Sequence, residues 1–180
     1  SFYLRMKKRE LQIHFGENDW QPDYTKFKYS GWALLDKIPE HDHILDVGCG
    51  HNLFKPHRDN LWGIDPANEC ADEMVTLEEF DSKGKLYDSV LCLSSLNFGS
   101  EHTVRAQVAK VVSLVREHGI IYWRQNPGTG SSPWQNNPDV EFFPWTIDLN
   151  YELAEQHGCT VWFCDYDSGD RIYAEWRKNA

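Results

Sequence analysis

The stretch Ile44-Leu45-Asp46-Val47-Gly48-Cys49-Gly50 constrains this chain more than any other. A short aliphatic run meets a carboxylate and then two glycines in alternation. A strand ending this way turns tightly, and its backbone N–H groups can approach a ligand with no Cβ in the way. Nineteen residues on (65 − 46) a second apolar run, Leu61-Trp62-Gly63-Ile64, ends in another carboxylate, Asp65. Strand, glycine loop, helix and a second strand tipped by an acid about 20 residues later form one nucleoside-binding half of a doubly wound sheet, with that acid placed to accept both hydroxyls of a ribose. A dinucleotide fingerprint wants a third glycine, and its position is held by Leu53.

Asp46-Val47-Gly48-Cys49-Gly50-His51-Asn52 resembles the first motif of class I S-adenosylmethionine-dependent methyltransferases, D-x-G-x-G-x-G, and Gly63-Ile64-Asp65-Pro66 follows at a supporting distance. Asn52 stands where the last glycine would, and Asn is among the residues that visit left-handed backbone conformations. The resemblance implies an α/β fold over roughly residues 40–177: a doubly wound, mostly parallel seven-stranded sheet with helices on both faces. Its last strand would sit antiparallel between the fifth and sixth, as part of a C-terminal β-hairpin. The implied cofactor is S-adenosylmethionine, with S-adenosylhomocysteine as product. Carried over residue by residue, Asp46, Gly48, Cys49 and Gly50 would pack on its methionine end, and Asp65, ahead of Pro66, on its ribose. Leu77 would lie beside the adenine, and Leu93 and Ser94 would floor the cofactor. Asn97 or Ser94 would face the methyl acceptor.

The 180 residues read as one globular domain, with 1–39 an N-terminal arm and helix covering the pocket and 40–180 the cofactor-binding domain. Tyr24, Phe27, Trp32, Leu35 and Ile38 suggest one helix face ended by Pro39. Met74-Val75-Thr76 suggests a short third strand, and Tyr87–Leu93 a fourth rich enough in apolar residues for a sheet centre. Ser100 then caps a helix whose stripe is Val104, Val108, Val111, Val112 and Val115 and which Gly119 ends. A fifth strand over 120–124, a second helix over 148–157 and a hairpin over 159–177 complete the pattern. Between them, residues 125–145 carry Trp134, Phe142, Phe143 and Trp145, more large apolar groups than a solvated connector uses. That loop is expected to form the acceptor side of the pocket, with Tyr24 or Tyr29 closing over it. The alternative is that its aromatics pack back on the sheet as a satellite core.

A formal net charge of −10 opposes a long electrostatic footprint on nucleic acid and favours a small or medium-sized acceptor. The five cysteines show no paired spacing, which argues against a disulfide frame or a metal site and for a reduced, cytoplasmic protein. No apolar run approaches the roughly 18 residues of a membrane span. Methyl transfer from a sulfonium asks mainly for alignment, and a general base only where the acceptor carries a proton. His102 is the nearest base candidate by sequence, ahead of His51 and His14. Neither an Asn-Pro-Pro-Tyr run nor a Pro-Cys nucleophile is present. Two other readings keep the same fold: a non-catalytic cofactor-binding protein or partner subunit, and a different reaction such as aminopropyl transfer.

Overall fold

Six strands are found among residues 23–128 and 142–180, the part of the chain that the computed structural model describes: β1 Ile44–Val47, β2 Leu61–Ile64, β3 Tyr87–Leu93, β4 Val115–Gln125, β5 Cys159–Tyr166 and β6 Ile172–Lys178. They form one sheet in the order β2-β1-β3-β4-β6-β5. The first four are parallel to one another, and β6 runs antiparallel between β4 and β5. The placement of the last strand is the one expected.

The expected third strand is absent, which makes the sheet six-stranded rather than seven-stranded. Only an isolated parallel bridge joins Ile64 to Glu73. Beyond it, Thr76 Oγ1 accepts from the Glu79 N–H (3.1 Å) while the Glu79 carboxylate accepts from the Thr76 N–H (3.2 Å). Such a capping box turns the chain away from an extended path. The edge this leaves on β2 is closed locally, since the Gly63 N–H donates to the Asp72 carboxylate at 2.8 Å.

Helices α1 (Glu101–Leu114) and α2 (Ile147–Gln156) start from Ser100 and Thr146, whose hydroxyls accept from Thr103 and Leu149 N–H groups. Both pack on the same face. Val104, Val108 and Val111 from α1 and Leu153 from α2 join Leu45, Val90, Ile121 and Trp123 in one core. The alternate strand residues, Ile44, Leu91, Tyr122 and Tyr173, face the other way and are covered by Leu34, Ile38 and Phe54. Among the described residues no α-helix carries these three: Leu34 lies in a 3-10 turn, Ile38 just after it, and Phe54 just before another. The helix read into 23–38 breaks into 3-10 turns at Tyr24–Lys26 and Gly31–Asp36. Gly31 opens the second at φ +61°, where a Cβ would come within 2.8 Å of the Tyr24 carbonyl oxygen. After the glycine loop, Pro56 and the short run to β2 leave room only for a 3-10 turn, Lys55–His57.

Helix α1 also ends earlier than its valine stripe suggests. Val115 opens β4, opposite Tyr87, and the next paired positions are Ser89 and Ile120. A bulge containing His118 at φ +66° absorbs the extra residues. Phe143 and Trp145 belong to the core rather than to a lid: Trp145 is fully buried, packs 5.7 Å from Trp123, and donates its indole N–H to the Leu96 carbonyl at 2.9 Å. No helix among the described residues is long and apolar enough to cross a membrane.

Candidate functional site

The carboxyl ends of β1 and β2 are sewn together by the glycine loop. Gly48 and Cys49 both donate backbone N–H groups to the Ile64 carbonyl, at 2.8 and 3.0 Å. Gly48, Gly50 and Asn52 take left-handed conformations at alternate positions, φ +72°, +55° and +59°. A Cβ on Gly48 would lie 2.5 Å from the Ser95 Cβ, so the packing of the loop against the exit of β3 demands that glycine. Asn52 adds a second tie, donating its amide to the Cys70 carbonyl (3.1 Å) and the Asp72 carboxylate (3.3 Å).

Asp65 joins the two expected parts of the site. Its Oδ2 accepts from the Gly50 N–H at 2.9 Å and its Oδ1 from the Ala67 N–H at 2.8 Å. The Asn68 N–H adds a third backbone donor. A carboxylate has about four lone-pair directions, so Asp65 retains capacity for a ligand hydroxyl. Burial raises the Asp65 pKa, and the N–H groups of Ala67, Gly50 and Asn68 oppose the shift. Asp46, in β1 and 3% exposed, is pushed up to about 7 by burial first and by the Asp65 charge second. Burial and the same carboxylates push the Cys49 thiol far up, which keeps it protonated and a poor nucleophile.

Tyr24 lies against the loop. It stacks on Phe54 (5.2 Å, 17°) and meets Trp32 edge-on, and its phenol is pushed far up by burial and then by the charge of Asp46. Tyr29 goes elsewhere, stacked at 5.6 Å on Tyr173 of β6. At the exit of β3, Leu93 pairs with Arg124 of β4. Ser94 follows at φ +68°, its N–H on the Arg124 carbonyl and its Oγ accepting from Arg124 Nη1 at 3.3 Å. Asn97 is buried and committed: its Nδ2 donates to the Ser94 carbonyl and its Oδ1 accepts from the Asn126 N–H. Pro66 is half-buried beside Asp65, and Leu77 is buried in the helix-side core. His102 is exposed in the first turn of α1 and forms no hydrogen bond or ion pair among the described residues. Trp134, His14 and the rest of 1–22 lie outside the described residues. No group of three or more metal-ligating side chains is gathered among the described residues.

Two further residues stand at the site without a sequence signal of their own. The Arg124 guanidinium is nine-tenths covered, lies 4.1 Å from the Phe27 ring centroid, and pairs at 3.6 Å with Asp167 from the β5–β6 turn. Burial lowers its pKa to about 10. In the sequence, Arg124 reads as a strand end and Asp167 as a turn residue.

No family model and no curated protein matches the chain. Solved structures do match. A Burkholderia thailandensis 1,6-didemethyltoxoflavin-N1-methyltransferase, with bound 1,6-didemethyltoxoflavin and S-adenosylhomocysteine, superposes with a TM-score of 0.74 at 14% identity, covering 99% of this chain and 89% of that one. The N-methyltransferase NodS of Bradyrhizobium japonicum, in complex with S-adenosylhomocysteine, gives 0.63 at 13% identity over 96% and 98%. The magnesium protoporphyrin IX methyltransferase of Synechocystis, with bound S-adenosylmethionine, gives 0.59 at 12% over 97% and 81%. With its sheet order and its antiparallel last strand, the chain has the fold of class I S-adenosylmethionine-dependent methyltransferases.

Proposed function

We propose that the protein is an S-adenosylmethionine-dependent methyltransferase acting on a small or medium-sized acceptor by in-line displacement. The observation that carries this reading is the bond from the Gly50 N–H to Asp65 Oδ2, because it locks the glycine loop to the ribose acid inside a methyltransferase-type sheet. Asp65 would hold the ribose hydroxyls through its remaining acceptor capacity, and residues 48–50 would present backbone to the methionine end. Leu77 and Pro66 would border the adenine and ribose, Leu93 and Ser94 would floor the site, and Tyr24 would close it, with Trp134 on the acceptor side. When bound, the cofactor supplies an already activated methyl group. The chain's task is then to orient the acceptor and exclude water. Residues 1–39 would serve as a cover on a domain of 40–180. The five free cysteines accord with a cytoplasmic location.

A second reading, a cofactor-binding protein without turnover, draws support from the two catalytic candidates. Asn97 spends its amide on the exits of β3 and β4, and His102 faces solvent. Under the first reading an acceptor with a free lone pair at neutral pH, such as a ring nitrogen, would need no base from Asn97 or His102. Calorimetry with S-adenosylmethionine, S-adenosylhomocysteine and NAD tests the binding site. Tight NAD binding with no heat from the other two would overturn it. Incubation with methyl-labelled cofactor and a fractionated cell extract separates the two readings, since only a methyltransferase leaves label on an acceptor.

A further inference from the structure

The Asp167 carboxylate gathers an unusual set of donors. Its Oδ1 accepts from the backbone N–H groups of Lys28 (2.8 Å), Tyr29 (3.2 Å) and Ser168 (2.8 Å), and its Oδ2 from the Ser30 hydroxyl at 2.6 Å. These bonds hold the Asp167 pKa below the usual carboxylate range although burial opposes them. Three of the four donors come from a segment 137 to 139 residues earlier in the chain. The same carboxylate faces Arg124 Nε, and Arg124 in turn donates to Ser94 Oγ and to the Ser168 carbonyl while Phe27 lies over its guanidinium. One acid and one base thus fasten three things at one point: residues 27–30, the exit of β3 and the hairpin turn. Upstream of the pinned residues, Tyr24 rests on Phe54 against the glycine loop. Downstream, Leu34 and Ile38 are anchored independently by the sheet. The stretch from Tyr24 to Ser30 has less of its own to hold it, since none of its residues before Ser30 is buried.

We propose that Asp167 is a positioning residue of the candidate site. By fixing the backbone of residues 28–30 and holding Arg124 beneath Phe27, it sets Tyr24 and Phe27 as a rigid roof over the carboxyl ends of β1 and β3. A roof fixed in advance lowers the ordering cost of binding and slows ligand escape. The proposal rests on the reading that this site takes S-adenosylmethionine or its product, and the test separates the two. Asp167→Ala should raise amide exchange in residues 24–30 while leaving 34–38 protected. It should also weaken S-adenosylhomocysteine binding by about tenfold, mostly through faster dissociation. Asp167→Asn keeps an oxygen for the three N–H donors but puts an NH2 where the Ser30 hydroxyl donates and Arg124 faces, so it should fall between the wild type and Asp167→Ala. It also serves if the alanine variant does not fold. An Asp167→Ala protein with faster exchange in 24–30 but unchanged affinity and dissociation would reduce Asp167 to a structural role and overturn the proposal. Unchanged exchange in that segment would overturn it too. Failure of the underlying reading looks different, because the wild type itself would then bind no S-adenosylhomocysteine.

Discussion

Replacing Asp46 with Asn should stabilise the ligand-free protein relative to wild type, and by more the higher the pH. The carboxyl is 3% exposed, and burial, followed by the Asp65 charge, moves its pKa from 3.8 to about 7. Between those two values the folded protein keeps a proton that the unfolded chain has released. Raising the pH therefore favours unfolding across that window, and the effect stops once the folded form ionises as well. A displacement of about three pH units corresponds to about 4 kcal/mol at most. Asp65 is raised too and shares the titration, so about 2–4 kcal/mol is the working figure. Asn carries no such cost, and any packing penalty it brings is the same at every pH and cancels. Urea unfolding of both proteins at about pH 4.5 and about pH 8, extrapolated linearly to water, measures the gap at each end. The gap should widen in favour of Asn by the stated amount. A gap independent of pH would show that Asp46 is already ionised in the fold, and the reasoning from burial would fail. A ligand carrying positive charge would pull the same proton off, so affinity for S-adenosylmethionine should rise through neutral pH in the wild type and stay flat in Asp46→Asn.

Asp65→Ala should weaken cofactor binding by roughly 2–4 kcal/mol, read by calorimetry, and unchanged affinity would place the ribose elsewhere. The same variant should lose about 1–3 kcal/mol of stability, because the Gly50 and Ala67 N–H groups lose their acceptor. Gly48→Ala combines a left-handed φ of +72° with a Cβ placed 2.5 Å from Ser95, and should cost about 2–4 kcal/mol in urea unfolding. A neutral result there would mean that the loop relaxes away from β3. Trp145→Ala should cost on the order of 3–5 kcal/mol, since it empties a site beside Trp123 and orphans the Leu96 carbonyl. A melting temperature close to wild type would return Trp145 to the pocket wall.

What the sequence discloses here is what short-range chemistry decides. The strand endings at Asp46 and Asp65, the Ser100 cap and the closing hairpin depend on neighbours a few residues apart, and each is found where the pattern puts it. The helix over 23–38 failed because apolar spacing says nothing about the left-handed turn at Gly31. The strand over 74–76 failed because Thr76 and Glu79 satisfy each other's backbone first. Arg124 and Asp167 stayed hidden for a different reason. They are 43 residues apart (167 − 124), and their meaning comes only from a sheet order that brings the turn after β5 to the end of β4. The aromatic run over 125–145 was ambiguous by composition alone, and burial of Phe143 and Trp145 assigns those two to the core.

The seating of Lys28 against Asp167, 139 residues later, also bears on how the chain is made. At about 5–20 residues per second a ribosome delivers Asp167 on the order of ten seconds after Lys28. Until then the early segment has no acceptor for its N–H groups. The flank of β4, with Tyr122 and Trp123, likewise waits for β6, which follows the other described strands and must enter between two of them. A nascent chain halted before the hairpin would thus display an open sheet edge and uncovered aromatics. Arrest at that point should make it a client for chaperones, whereas release of residues 159–178, the two strands of the hairpin and the turn between them, lets the sheet and the roof close together.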